Sequence, residues 1–390
     1  MDAERAGVTY DPCMPDRGSG KPVPLARPNL GSRERDLVSQ VLASGILALG
    51  PFAEEFERAL ASLCGRRHAI ACSSGTAGLH MAVRALGIGA GDEVVTTPFS
   101  FVASANCILY EGARPRFVDI EPDTLGMAPD LVAAIDDEAV RAILPVHVFG
   151  RPCRINALGA VAADRGWSLI EDSCEALGSR LHDRPLGSFG DASVLAFYPN
   201  KQITTGEGGA LLTDSDDLAD TVRSLRNQGR DRDATWLRHV QLGYNYRLDE
   251  LSAAIGVAQL ERLQELRAGR RRVVRAYEEA LGGLDWLQLP TVGDGEDVDW
   301  FVFVVRLDSG IDRDRVIERL GDAGVPSRPY FSPLHLQPLY QERFGYRPGE
   351  FPETERIAAT TLALPYSSLH TEDEVAHVAE ALIRAAAPDV

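Results

Sequence analysis

The sequence predicts a large α/β domain on a mostly parallel sheet, followed by a smaller α+β unit. Three observations carry that prediction. Between about Ala69 and Asp214, short apolar or β-branched runs bounded by turn residues alternate with stretches of helical periodicity. Most of the runs are continuous rather than alternating, as in strands covered on both faces by crossover helices. Beyond about residue 265 the order changes to a long charged helix, one strand, a helix and a closing helix. At 390 residues the chain exceeds what one hydrophobic core usually holds. The expected division is a flexible arm over 1–24, a large domain over 25–265 and a small domain over 266–390.

The elements follow in chain order. The first 24 residues mix acids, Gly and Pro and contain no apolar run long enough for a secretory signal, so a mobile arm on a cytoplasmic protein is expected. Candidate strands are His68–Cys72, Glu93–Thr97, Pro115–Asp119, Ala139–Val148, Ser168–Glu171, Ala192–Phe197 and Gly209–Thr213. Leu79, Ala82, Val83 and Leu86 recur at helical spacing within Ala77–Leu86, and Ile155–Arg165 reads as a second crossover helix. Leu251–Leu281 reads as one long helix. VGDGEDVDW is a loop, Phe301–Leu307 a strand, Arg313–Ala323 a helix and Glu372–Ala386 the closing helix.

Composition narrows the function classes. Acidic residues number 57 against 40 basic ones, for a net charge of −17 and a pI near 5.0, which argues against nucleic acid or an anionic membrane as partner. The longest apolar window, Ala69–Gly91, is broken by His80, Arg84 and several glycines and does not read as a membrane span. The six cysteines are scattered, with no Cys-x-x-Cys pair and no His at zinc-ligand spacing, so free thiols and no metal are expected.

Three motifs could carry chemistry. SSGTAGLH at 73–80 follows a strand and opens a helix; it suits a phosphate on free N–H groups, although taken alone such residues are more often an ordinary N-cap. GIGAG at 87–91 precedes a strand and reads as a turn. Glu171 and Asp172 end a strand where open α/β sheets bind ligands, although an isolated Asp there also serves as a cap. Lys201, in FYPNKQITTGEGG, stands just past another strand end, as a surface cation or a desolvated, reactive amine. Taken together, a helix start for phosphate, an acid at a strand end and a lysine at a later one are the parts that hold pyridoxal 5'-phosphate. The acid keeps the pyridine nitrogen protonated and the lysine is the covalent anchor.

The order and wording of ASGILALGPFAEEFE, SSGTAGLHMAVRALGIGAGDEVVTTPFSFVASAN, IEDSCEALGS, FYPNKQITTGEGG, LGYNYRLDELSAAIGVAQL and PYFSPLHLQPLY resemble the DegT/DnrJ/StrS family of pyridoxal-phosphate sugar aminotransferases from about Pro24 to the C-terminus. The resemblance implies a fold-type-I, aspartate aminotransferase-like architecture with three layers and a seven-stranded sheet. It matches Lys201 to the Schiff-base lysine and Asp172 to the pyridinium partner. Gly75, Thr76 and Ala77 match the phosphate-holding backbone, and Phe101 the aromatic that stacks on the cofactor ring. Glu175 falls near the cofactor's O3', where relatives often carry Gln or His; a carboxylate there must be protonated or paired. Asn245 matches an asparagine that reaches the neighbouring subunit's cofactor phosphate, which implies a homodimer with shared sites. Tyr330 and His335 fall in the segment that approaches the sugar. Ala196 departs from a family serine that binds phosphate, and Tyr198 or Asn200 would compensate.

The implied reaction moves an amino group from L-glutamate to a nucleotide-linked keto sugar, with wording nearest the 4-aminating, perosamine-synthase-like branch acting on a 4-keto-6-deoxyhexose. Alternatives are a 3-aminating sugar enzyme, a transaminase of cyclitols or of aminohydroxybenzoate biosynthesis, a sugar dehydratase of the same family, against which Lys201 speaks, and a non-catalytic cofactor-binding protein.

Overall fold

Residues 23–231 and 237–387 are described by the computed structural model. Most of the expected N-terminal arm, and Arg232, lie outside them. Val23 is buried, the Pro24 carbonyl lies 2.9 Å from His370 Nε2, and the Leu25 carbonyl accepts from the Tyr366 N–H at 2.8 Å.

Helix α1 (Ser32–Ser44) is followed by α2 (Pro51–Cys64), which stops at Gly65 in the left-handed region, φ 63°. The continuous apolar runs then form one sheet from β1 (His68–Cys72), β2 (Glu93–Thr96), β3 (Arg114–Phe117), β4 (Val140–Ile143), β5 (Ser168–Asp172), β6 (Ala192–Ala196) and β7 (Gly209–Thr213). The spatial order is β1–β7–β6–β5–β4–β2–β3. Pairing is parallel from β3 through β6, and β7 runs antiparallel to both of its neighbours. The strand β7 returns beside β6 through a loop, and that loop carries Lys201.

Helices α3 (Gly75–Ala85), α4 (Ala103–Tyr110), α5 (Ile155–Arg165), α6 (Asp216–Arg226) and α7 (Glu250–Glu261) sandwich the sheet. Alternation along the strands divides them between the two faces. Ile70, Cys72, Val194 and Leu211 pack into the core with α3 and α6, whereas Ala69, Ala71, Leu195 and Leu212 pack into the one with α1, α2 and α7. The three-layer α/β prediction holds, and seven strands appear where seven were expected.

Two expected elements are shorter or broken. The run 139–148 is a strand only over Val140–Ile143. Pro145 has no N–H for a ladder, and Phe149 and Gly150 turn to positive φ, 58° and 99°. The expected single helix over 251–281 divides at Arg262, which leaves helical geometry and turns its guanidinium to Glu34 at 2.8 Å. Helix α8 (Leu263–Leu281) then runs to the antiparallel strands β8 (Leu287–Gln288), β9 (Phe303–Leu307) and β10 (Thr361–Leu364), packed with α9 (Arg313–Asp322) and α10 (Glu372–Ala386). Tyr277 of α8 stacks on Phe303 of β9, centroids 4.6 Å apart.

Candidate active site

A cavity of about 430 Å³ opens at the carboxyl ends of the parallel strands, where the α3 start, the β5 end and the loop after β6 converge. Each wall has a local cause. After β1 the Ser74 side chain caps α3, and its Oγ accepts the Ala77 N–H at 3.1 Å. Gly75 and Thr76 line the cavity ahead of the first intrahelical bond, so their N–H groups are the free donors of the helix start. A Cβ on Gly75 would lie 2.8 Å from Ala196 Cβ and 2.9 Å from Cys174 Sγ. Backbone can therefore approach a ligand here only because 75 is glycine and 196 is small.

Alternation in β5 separates its two acids. Glu171 points away from the cavity and is fully buried. It accepts the N–H groups of Gly187, Phe189 and Gly190 at 2.6–3.0 Å and meets His147 at 3.1 Å and Arg66 at 3.5 Å. Those bonds hold it below the ordinary carboxylate range despite its burial. Asp172, on the other face, lines the cavity. Its Oδ2 accepts from Ser104 Oγ at 2.6 Å and its Oδ1 from the Cys174 N–H at 3.1 Å, and Ser104 is itself tied to Ser100 at 2.7 Å. These bonds fix the carboxylate as an acceptor aimed into the site.

Lys201 sits in a turn, its N–H bonded to the Tyr198 carbonyl at 2.9 Å and its own carbonyl held by Arg270 Nη2 of α8 at 2.8 Å. Its Nζ lies 3.6 Å from Glu175 Oε1 and 3.8 Å from the centroid of the Phe301 ring. Glu175 Oε2 accepts the Phe149 N–H at 2.8 Å. Burial raises the Glu175 pKa, with Lys201 opposing. The Phe149 carbonyl accepts the Phe301 N–H at 2.8 Å. The left-handed Phe149 thus ties together the carboxyl and the ring that face the amine. Burial next to Asp172 drives the Cys174 thiol well above its ordinary value, which leaves it an inert wall.

The cavity gathers Gly75, Thr76, Phe101, Asp172, Glu175, Lys201 and Tyr330 of the expected residues. Phe101 stands at its rim, 61% exposed. Three residues are not brought there. Ala77 has already given its N–H to the N-cap. His335 is fully buried, 3.0 Å from Glu355 and packed edge-on against Phe351 at 4.7 Å. The Leu334–Leu336 turn that carries it packs into the small aromatic core beside the cavity, while Tyr330 and Phe331 of the same segment reach the wall. Asn245 is exposed and lies off the lining. Ser104, Arg270 and Phe301 were not singled out by sequence. Arg270 did leave a signal, because it interrupts the apolar stripe Leu266, Val273, Tyr277 at helical spacing.

The residues present fit pyridoxal 5'-phosphate. The Gly75 cradle would be filled by a Cβ, and Asn200, in the same lining, has a buried Oδ1 with no partner among the described residues. An acceptor stands opposite for a protonated ring nitrogen, and an amine for the covalent link.

Comparison with known proteins agrees with this geometry. The model of the DegT/DnrJ/EryC1/StrS aminotransferase family matches residues 28–383. GDP-perosamine synthase of Caulobacter vibrioides is 42% identical over 323 residues, covering 82% of this chain and 86% of the relative. The structure of DesI in the presence of its TDP-sugar product superposes with a TM-score of 0.87 at 34% identity, covering 95% of this chain and 94% of that one. The PMP form of Spr1654 from Streptococcus pneumoniae gives 0.89 at 25% identity, covering 93% and 99%.

Proposed function

Because the chain belongs to the DegT/DnrJ/EryC1/StrS aminotransferase family and is a pyridoxal-phosphate transaminase, we propose that it aminates a nucleotide-linked 4-keto-6-deoxyhexose at the expense of L-glutamate, as a cytoplasmic homodimer with shared sites. The observation that carries this reading is one cavity lined by Lys201, Asp172 and the free helix start at Gly75–Thr76. Two of the relatives support it, GDP-perosamine synthase by its name and DesI by the TDP-sugar product in its structure.

When bound, the cofactor supplies an electron sink for the bond-breaking at the amino-bearing carbon. The protein's residues do the rest. Gly75 and Thr76 hold the phosphate on backbone N–H groups, helped by the helix dipole. Asp172, oriented by Ser104 and the Cys174 N–H, keeps the ring nitrogen protonated. Lys201 Nζ anchors the cofactor and, once released, carries the proton to and from the reacting carbon as general base and acid. Glu175 and Phe301 face that amine when it is free. Phe101 covers the ring at the rim, and Tyr330 lines the side from which the sugar enters. Water is kept out by Phe301, Phe331 and Tyr330, which meet at ring distances of 5.0–6.4 Å.

The dimer reading is supported by the exposed apolar residues Leu49, Leu237 and Val240 of one surface groove, with Leu242 nearby at 73% exposure. The test is turnover. The purified protein is expected to release about one equivalent of 2-oxoglutarate per site from L-glutamate alone and to go on turning over only when a nucleotide-linked keto sugar is added, and a 4-keto-6-deoxy acceptor should outrun a 3-keto one. Activity only with a cyclitol or with no carbonyl acceptor would overturn the substrate reading.

A further inference from the structure

Behind Asn245 lies a chain of hydrogen bonds whose members do not line the cavity. His80 of α3 is buried, with Nε2 2.7 Å from Glu111 Oε1 and Nδ1 3.1 Å from the Tyr246 hydroxyl. Glu111 Oε1 also accepts from the Tyr244 hydroxyl at 2.7 Å, and Oε2 from Arg84 Nη1 at 2.9 Å. The Tyr244 and Tyr246 rings stack with centroids 4.9 Å apart and planes 15° apart, and His80 packs on Tyr244 at 4.6 Å.

Protonation follows from the same geometry. Burial holds His80 below its ordinary value although Glu111 opposes it, so the neutral ring donates through Nε2 and accepts at Nδ1 from Tyr246. Burial pushes Glu111 upward, but the bonds from Tyr244, His80 and Arg84 outweigh it and keep the carboxylate ionised. Burial and the neighbouring Glu111 raise Tyr244, which stays a hydroxyl donor. Every donor in the chain therefore meets an acceptor.

The backbone of this segment is fixed as well. Tyr244 N–H bonds to the Leu225 carbonyl at 2.6 Å, Tyr246 N–H to Arg226 at 3.0 Å, and the Tyr246 carbonyl accepts from Ser73 N–H at 2.8 Å. In extended chain, successive side chains point to opposite faces. Anchoring 244 and 246 inward turns Asn245 outward, where it is exposed.

We propose that His80, Glu111, Tyr244 and Tyr246 are positioning residues that present the Asn245 amide to the cofactor phosphate of a second copy of this chain. The inference rests on the shared-site reading above. It adds that one rigid unit serves two sites. Helix α3 begins at Gly75 in its own phosphate cradle and carries His80, and Ser73, beside the N-cap, holds the Tyr246 carbonyl.

The test uses Tyr244→Phe/Tyr246→Phe, which keeps the stacked rings and removes both hydroxyl links. Apoprotein is titrated at equilibrium with pyridoxal 5'-phosphate, with dimer mass and circular dichroism followed in parallel. The Kd is expected to rise about five- to twentyfold, the scale of one or two lost hydrogen bonds, with dimer and fold unchanged. Asn245→Ala should weaken binding to a similar extent. Adding the two Phe changes to Asn245→Ala should cost nothing more, because they act through that side chain; a general loss of stability would add instead. Full-strength binding by the Phe variant, or additive losses, would overturn the positioning role while leaving the shared site standing. An Asn245→Ala protein that binds cofactor normally would overturn the shared-site reading itself.

Discussion

Glu175 is the residue at which burial and pairing pull hardest against each other. Its carboxyl lies 3.6 Å from Lys201 Nζ and takes the Phe149 N–H, yet burial wins and its pKa is raised. Folded protein then holds that proton to higher pH than the unfolded chain does, so this group's contribution is fully present below the unfolded Glu value and is lost as pH rises through the folded one. Melting of the apoprotein against pH should therefore show the wild type losing stability relative to Glu175→Gln across that window; parallel curves would refute the account. Lys201→Ala should lower kcat by about 10²–10⁴-fold, the usual worth of a positioned acid-base group. Asp172→Asn, which keeps the Ser104 bond but removes the charge, should weaken catalysis more than cofactor retention, as single-turnover and binding titrations would show.

At the scale of elements, the site depends on how α3 starts and how α8 passes beneath the lysine loop. Gly75→Ala places a Cβ 2.8 Å from Ala196 Cβ, an overlap that displaces the helix start, so unfolding stability should fall by about 1–3 kcal/mol and cofactor affinity should fall with it. Arg270 holds the carbonyls of Asn200 and Lys201 at 3.2 and 2.8 Å from a buried position, and Arg270→Met should cost about 1–3 kcal/mol in urea unfolding. Strands, crossover helices and the placement of Lys201 and Asp172 at strand ends were legible because continuous apolar runs and turn residues have local causes. Features that depend on tertiary partners were not. Nothing local marks Phe149 for positive φ, a region that bulky residues rarely enter, and it is held there by Glu175 and Phe301. The Ala77 N–H looked free until the Ser74 cap claimed it, and His335 was drawn into an aromatic core whose members are distant in sequence.

For the whole molecule, a net charge of −17 frames a protein that must still hold a phosphorylated cofactor. Among the described residues that line the cavity, Lys201 is the one basic side chain. Arg223, Arg226 and Arg238 are paired with Asp220, Glu57 and Asp231 at 3.1, 2.5 and 3.2 Å, which leaves the helix start and Lys201 as the local positive groups. On the proposed shared-site dimer, Leu242→Asp should yield monomers by sedimentation and weaken cofactor retention in step. The chain has only two lysines, Lys21 and Lys201, and this makes one measurement decisive. Holoenzyme reduced with borohydride, digested and weighed should carry the cofactor on the Lys201 peptide, and prior treatment with L-glutamate should abolish the label. Label on Lys21, or none on either lysine, would contradict the account.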